Sequence, residues 1–373
     1  MSNGPNRNAV AERRSASCAR IAEHVAALDR RKEFAERRIA IMEVCGTHTV
    51  AIHRAGLRGL LPARLKLVSG PGCPVCVTPQ SYVDVLIDLA QRPGVRVATY
   101  GDMIRVPGIE TTLERAQGRG ARVSIVYSVM DALDLARRNA DEEVVFAGVG
   151  FETTTPPTAV AVKLARDEKV GNFSVLSAHK LIIPAMNALL SGGEVRIDGF
   201  LCPGHVSVIL GSDAYRPVAE RFKKPCVVAG FEPQEMLDGI ERILAQLASG
   251  RAEVENAYMR AVTAAGNRAA WSLIEEVFEP ADTPWRGLGT IPGSGLVFRE
   301  EFAGQDAARR FGVAVTDRED DHGCRCGQVI CGLIEPPECP LFAAACTPMH
   351  PIGPCMVSRE GNCQAHYKYA RSR

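Results

Sequence analysis

Between residues 39 and 232, short runs of β-branched and aliphatic residues alternate with stretches of helical character. The runs occupy 38–44, 64–70, 95–100, 122–128, 143–150, 173–178, 199–204 and 226–231. Strands that alternate with helices build parallel βα units. Eight units predict an α/β fold, either two four-stranded parallel layers or one tightly drawn eight-stranded barrel. Gly118–Arg119–Gly120 and the polar stretch Arg137–Glu143 are the expected breaks between layers.

The flanks read differently. Residues 1–8 are expected to be a disordered tail and 9–38 a helix, with Ile21, Val25 and Leu28 on one face. Residues 234–280 return to helix, with an apolar stripe of Met236, Ile240, Ile243 and Leu247. The rest is loop-rich. A chain of 373 residues exceeds one ordinary core and predicts two or three domains. The net charge of +1 gives no reason to expect nucleic acid or an anionic membrane as partner. No apolar run is long enough for a membrane span. The first twenty residues lack the apolar stretch of a secretory signal, so a cytoplasmic protein is expected.

The loops after the strands carry the chemistry. They include Cys45-Gly-Thr-His-Thr49, Gly70-Pro-Gly-Cys-Pro-Val-Cys76, Tyr100-Gly-Asp-Met103, Gly150-Phe-Glu-Thr-Thr154, Ser177-Ala-His-Lys180, Cys202-Pro-Gly-His205 and Gly230-Phe-Glu-Pro233. Ligands of open α/β sheets sit beyond the carboxyl ends of the strands, so this is a working face. Cys73 and Cys76 are spaced to close a disulfide or share a metal. A helix start would lower the first thiol's pKa. Parallel neighbours lie about 4.8 Å apart, so Cys45 can reach this pair from the preceding strand. Three thiols and the imidazole of His48 suit a soft metal such as iron or zinc. His48 is also expected to stabilise a Cys45 thiolate, and Gly46 to leave room beside it. Glu152 reads as a proton-transfer group or as a helix cap. His205, His179 and Asp102 read as functional groups or as hydrogen-bonded turn residues. Cys202 and Cys226 read as core residues.

Seven of the thirteen cysteines fall in the last fifty residues: Cys324, Cys326, Cys331, Cys339, Cys346, Cys355 and Cys363. Clustered thiols in a reducing compartment point to metal or redox chemistry. Their spacing fits neither a ferredoxin run nor zinc-ribbon knuckles, so it leaves iron–sulfur and zinc both open. Turn contexts favour Cys339, Cys346 and Cys355 as ligands. Cys326 is the expected fourth, with Cys324 and Cys363 as alternates and Cys331 as a spare or redox partner. A metal cluster would staple a segment too irregular to build its own core.

Taken together, Cys45-Gly-Thr-His-Thr49, Gly70-Pro-Gly-Cys-Pro-Val-Cys76, Gly150-Phe-Glu-Thr-Thr154, Cys202-Pro-Gly-His-Val206 and Cys355-Met-Val-Ser358 resemble the HypD family of [NiFe]-hydrogenase maturation proteins. The resemblance runs from about residue 38 to the C-terminus. It implies a redox-active scaffold on which an Fe(CN)₂CO group is assembled. The implied partners are a HypC-type chaperone that shares the iron, a HypE-type cyanide donor and, indirectly, the hydrogenase large subunit. It further implies iron on Cys45, thiol–disulfide cycling of Cys73 and Cys76, and a [4Fe–4S] cluster on the C-terminal cysteines. The implied fold has two similar Rossmann-like parallel-sheet domains and a helical, loop-rich iron–sulfur domain. Mapped onto this chain, the expected divisions are 1–38, 39–135, 136–233 and 234–373. A thiol–disulfide oxidoreductase carrying an iron–sulfur cluster, with no assembly role, is the alternative. No Cys-x₃-Cys-x₂-Cys or Walker A motif occurs, which disfavours radical and nucleotide-hydrolysing enzymes.

Overall fold

The computed structural model describes residues 7–35, 37–318 and 323–370. All eight apolar runs form strands: β1 (Ile39–Glu43), β2 (Leu65–Ser69), β3 (Val95–Thr99), β4 (Val123–Ile125), β5 (Glu143–Gly150), β6 (Phe173–His179), β7 (Gly199–Pro203) and β8 (Cys226–Ala229). Three more follow: β9 (Val254–Asn256), β10 (Phe278–Trp285) and β11 (Gly289–Phe298). The runs are mostly apolar because the sheets are largely covered: β5 is buried from Val144 to Gly150, while β2 and β3 each carry one partly buried basic residue, Lys66 and Arg96.

Two parallel sheets result, not a barrel. The first has the order β2-β1-β7-β8-β9 and the second β4-β3-β5-β6. The chain therefore leaves the first sheet after β2, builds the whole second sheet, and returns at β7. A division at residue 135 would cut the second sheet between β4 and β5. Gly118–Gly120 and Arg137–Glu143 are ordinary connections inside it. Apolar alternation marks strands but not their partners, and β1 pairs with β7 across a long insertion (Ile41 opposite Gly199).

The first helix is Arg7–Asp29, shorter at its end than expected. Of the expected tail, residues 1–6 lie outside the described residues, while Arg7 and Asn8 are helical. Ile21, Val25 and Leu28 pack on the helix Pro233–Ser249, whose Met236, Ile240, Ile243 and Leu247 are buried in the same core. Arg20 pairs with Glu241 at 2.7 Å along this seam. The expected helix over 234–280 is interrupted by β9, which extends the first sheet, and resumes at Arg268–Val277. Beyond it, β10 and β11 form an antiparallel ribbon where loops were expected. Pro280, Pro284 and three glycines of β11 hide the strand pattern. The ribbon closes over the second sheet, with the Ser177 hydroxyl donating to Leu296 O at 2.7 Å. Among the described residues, no helix is long and apolar enough to cross a membrane.

Candidate functional site

Each sheet has a point where the strand order reverses, between β1 and β7 in the first and between β3 and β5 in the second. Crevices open at the carboxyl ends of strands at such points. Cys45 follows β1 there. It is extended (φ −151°) and precedes the helix Gly46–Ala55. The loop after β2 lies against it: Gly46 N donates to Gly72 O at 3.1 Å. A Cβ on Gly72 would fall 2.1 Å from Cys45 N, so only glycine allows this approach. The sequence expectation that Cys45 and the Cys73/Cys76 turn adjoin is thus met in the backbone.

Cys73 and Cys76 are joined in a disulfide, with Cα atoms 5.3 Å apart. Both are buried, at 6% and 0% exposure. Cys76 N donates to Cys73 Sγ at 3.2 Å. A single-ion site of Cys45, Cys73 and Cys76 is therefore not assembled in this state. Among the described residues, no three His, Cys, Asp or Glu side chains could hold one ion. Of these three cysteines, only Cys45 is a free thiol.

The surroundings of Cys45 differ from expectation in two respects. The His48 ring is engaged elsewhere instead of stabilising a Cys45 thiolate. Its Nε2 bonds Gly230 O at 2.9 Å, and burial lowers its pKa to about 4. What acts on the sulfur from this side is the backbone N–H of His48, together with that of Thr47. The space at Gly46 is filled by Glu360, whose Cβ lies 2.5 Å from where a Cβ on Gly46 would sit. Glu360 also accepts from the Thr47 hydroxyl at 2.8 Å. Burial pushes the Cys45 thiol up to about 12, and Glu360 and Glu43 add to the rise. Metal binding here must displace a proton.

Glu43, not singled out in the sequence, is a fully buried carboxylate on β1. It accepts from Cys45 N at 3.0 Å and from the Thr49 hydroxyl. A lone carboxylate inside an apolar strand run, two residues before a cysteine, was the available signal. His205, exposed after β7, stacks on Phe231 at 4.0 Å, and Phe231 meets His48 at 4.8 Å. His205 thus joins the rim around Cys45 through Phe231.

Glu152 follows β5 at the second reversal point. Its Oε1 accepts from Ile182 N at 2.9 Å, capping a neighbouring helix rather than its own. Its Oε2 is buried without a partner, and burial raises its pKa to about 7. Asp102 accepts from Arg359 N at 3.0 Å and lies 3.3 Å from the Ser358 hydroxyl. The segment 358–360 thus touches the carboxyl ends of both sheets. His179 is buried with neither ring nitrogen paired, and burial lowers its pKa to about 3. Cys202 and Cys226 are core residues.

The C-terminal cysteines converge. Cys324, Cys326, Cys339, Cys346, Cys355 and Cys363 line one pocket, walled otherwise by Val329, Leu341, Phe342 and Met356. Cys363 N donates to Cys355 Sγ at 3.1 Å and Ile352 N to Cys346 Sγ at 3.4 Å. Gly353 leaves the pocket open: a Cβ there would fall 2.5 Å from Cys324 Sγ. Cys331 is outside, donating to Gly287 O at 3.4 Å. An all-sulfur donor set in an apolar wall fits an iron–sulfur cluster. The helices Cys326–Ile330 and Pro354–Val357 both pack on the short helix Pro74–Val77 that carries Cys76, and the two cysteine sites share one core.

The family model described as "Hydrogenase formation hypA family", named HypD, matches residues 17–370. A hydrogenase maturation factor HypD of Azotobacter vinelandii is 46% identical over 345 residues, 91% of each chain. That of Rhodobacter capsulatus is 44% identical over 370 residues, 98% of this chain and 97% of the relative. That of Escherichia coli is 45% identical over 336 residues, 90% of each. With matching motifs gathered at the ends of two parallel sheets, and relatives this similar along nearly the whole length, the chain belongs to the HypD family of hydrogenase maturation factors.

Proposed function

We propose that the chain is the cytoplasmic scaffold on which the Fe(CN)₂CO group of [NiFe] hydrogenase is assembled. Cys45 holds the iron together with a HypC-type chaperone, and a HypE-type partner delivers cyanide. Cys73 and Cys76 cycle between disulfide and dithiol. Opening the disulfide breaks one S–S bond and takes up two electrons and two protons. Cys326, Cys339, Cys346 and Cys355, with Cys324 and Cys363 as alternates, hold a [4Fe–4S] cluster, which supplies one-electron transfer when bound. An external one-electron donor provides the electrons.

The carrying observation is the contiguity of the three parts. Cys45 abuts the turn of Cys73, and the helix of Cys76 abuts the thiol pocket. An oxidoreductase without an assembly role would have to offer a sulfur to its protein substrate, whereas both disulfide sulfurs are buried. Glu152, with its unpaired oxygen, is positioned to hold a proton in the same core, and His205 lies where a partner meets the rim. The test is infrared spectroscopy of the protein purified without oxygen together with its small chaperone. Carbonyl and cyanide stretching bands are expected. Their absence from iron-loaded complex would leave only the oxidoreductase reading.

A further inference from the structure

The turn between β10 and β11 carries Arg286 and Gly287, and it is wedged between the two cysteine sites. On one side, Arg286 N donates to Val77 O at 2.9 Å and Arg286 Nε to Thr78 O at 3.1 Å. These carbonyls close the helix of Cys76. On the other side, Gly287 packs on Gly327, next to Cys326. A Cβ on Gly287 would lie 2.3 Å from Gly327 Cα, and Gly287 has φ +75°. Gly287 O also accepts from Cys331 Sγ. The turn is thus fixed on both flanks, and glycine is required at 287 for its conformation and its contact.

The Arg286 side chain is 7% exposed. Its Nη2 is buried without a partner, and among the described residues no carboxylate lies within ion-pair distance of it. Its charge acts on Cys324 and Cys326, and also on the partly buried carboxyl of Asp84. A buried cation without a counter-ion is costly, and an arginine cannot shed its proton to escape that cost. Among the described residues no carboxylate pairs with Arg286, and the adjacent wall is made of groups that become anions when they ligate metal.

We infer that Arg286 is the fixed counter-charge of the thiolate pocket and the positioning residue that holds the helix of Cys73 and Cys76 against it. The inference rests on the cluster reading of that pocket. A positive charge beside an electron-accepting group favours its reduced, more negative form. Removing that charge therefore makes reduction harder.

Two variants separate charge from packing. Arg286→Gln keeps a donor for Thr78 O and loses the charge, whereas Arg286→Lys keeps the charge. Both are purified without oxygen beside the wild type and assayed for iron and sulfide. Reductive titration is followed by electron paramagnetic resonance, with circular dichroism as the folding control. The Gln variant is expected to show a midpoint potential more negative than wild type, or to lose its iron and sulfide. The Lys variant is expected to stay near wild type in both. A Gln chain that fails to fold beside a Lys chain of wild-type potential also supports the charge role. A Gln variant with full iron and unchanged potential overturns the inference. Equal impairment of both variants overturns it too, leaving a packing role. A wild type that takes up neither iron nor sulfide instead overturns the cluster reading, and this inference with it.

Discussion

Cys45 sits where one strand ends and a helix begins, under Glu360, with its thiol held neutral by burial. If Cys45 ligates the proposed iron, it does so as the thiolate, so loading would release a proton. Cys45→Ser preserves size and removes the soft ligand. The variant is expected to fold and to keep its C-terminal iron and sulfide, but to lose the carbonyl and cyanide bands. Bands at full strength in Cys45→Ser would transfer the ligand role to Cys73 or Cys76 in their reduced state. Glu152 offers a test on stability. Its folded pKa, about 7, lies above the ordinary 4.5. Its protonated form stabilises the fold fully below about pH 4.5, and that contribution is lost as pH rises through 7. Glu152→Gln does not titrate. Relative to wild type it should gain stability between pH 4.5 and 7, by up to roughly 3 kcal/mol, read by urea unfolding at several pH values. A constant difference across that range would place the raised pKa in doubt. The cysteines and histidines of both sites were legible because their types are chemically marked. Arg286 was not, since a single arginine in Pro284-Trp-Arg-Gly287 carries no sign of being buried.

At the scale of elements, the site depends on how closely two loops run together. Gly72→Ala would drive a Cβ into the backbone of Cys45, which has no flexible end to move aside. The loops after β1 and β2 must separate, at an expected cost of about 3 kcal/mol in urea unfolding. If Gly72→Ala unfolds at the wild-type midpoint, the close approach is not a stabilising contact. All eight strands of the expected α/β pattern were readable because most of their residues are buried and apolar. The ribbon of β10 and β11 was not, because prolines and glycines interrupt its alternation and its partner is itself. Nor could spacing reveal which strands neighbour which: β1 and β7 are joined by hydrogen bonds between backbones, which leave no mark in side-chain sequence.

For the whole molecule, residues 323–370 act as a clamp. Six of their seven cysteines line one pocket, and the stretch 358–360 between Cys355 and Cys363 reaches Asp102 of one sheet and Thr47 of the other. Binding of a cluster would be coupled to order in this segment. Bleaching the cluster with oxygen and a chelator should therefore open residues 323–370 to limited proteolysis. It should also make Cys45 accessible to an alkylating reagent, because Glu360 leaves with the segment. If Cys45 stays protected after the iron is gone, the clamp holds by side-chain packing alone.

The split of the first sheet around the second also sets an order of events during synthesis. A nascent chain emerges N-terminus first. When β1 and β2 leave the ribosome, one flank of β1 still lacks β7, whereas β3 to β6 follow one another and can close the second sheet at once. Cys45, Cys73 and Cys76 are thus translated early but acquire their final surroundings late, after β7 and β8 arrive and the C-terminal segment docks. Until then these thiols are open to premature oxidation or to capture of the wrong metal, so a cell that slows translation past β6 would lengthen their exposure.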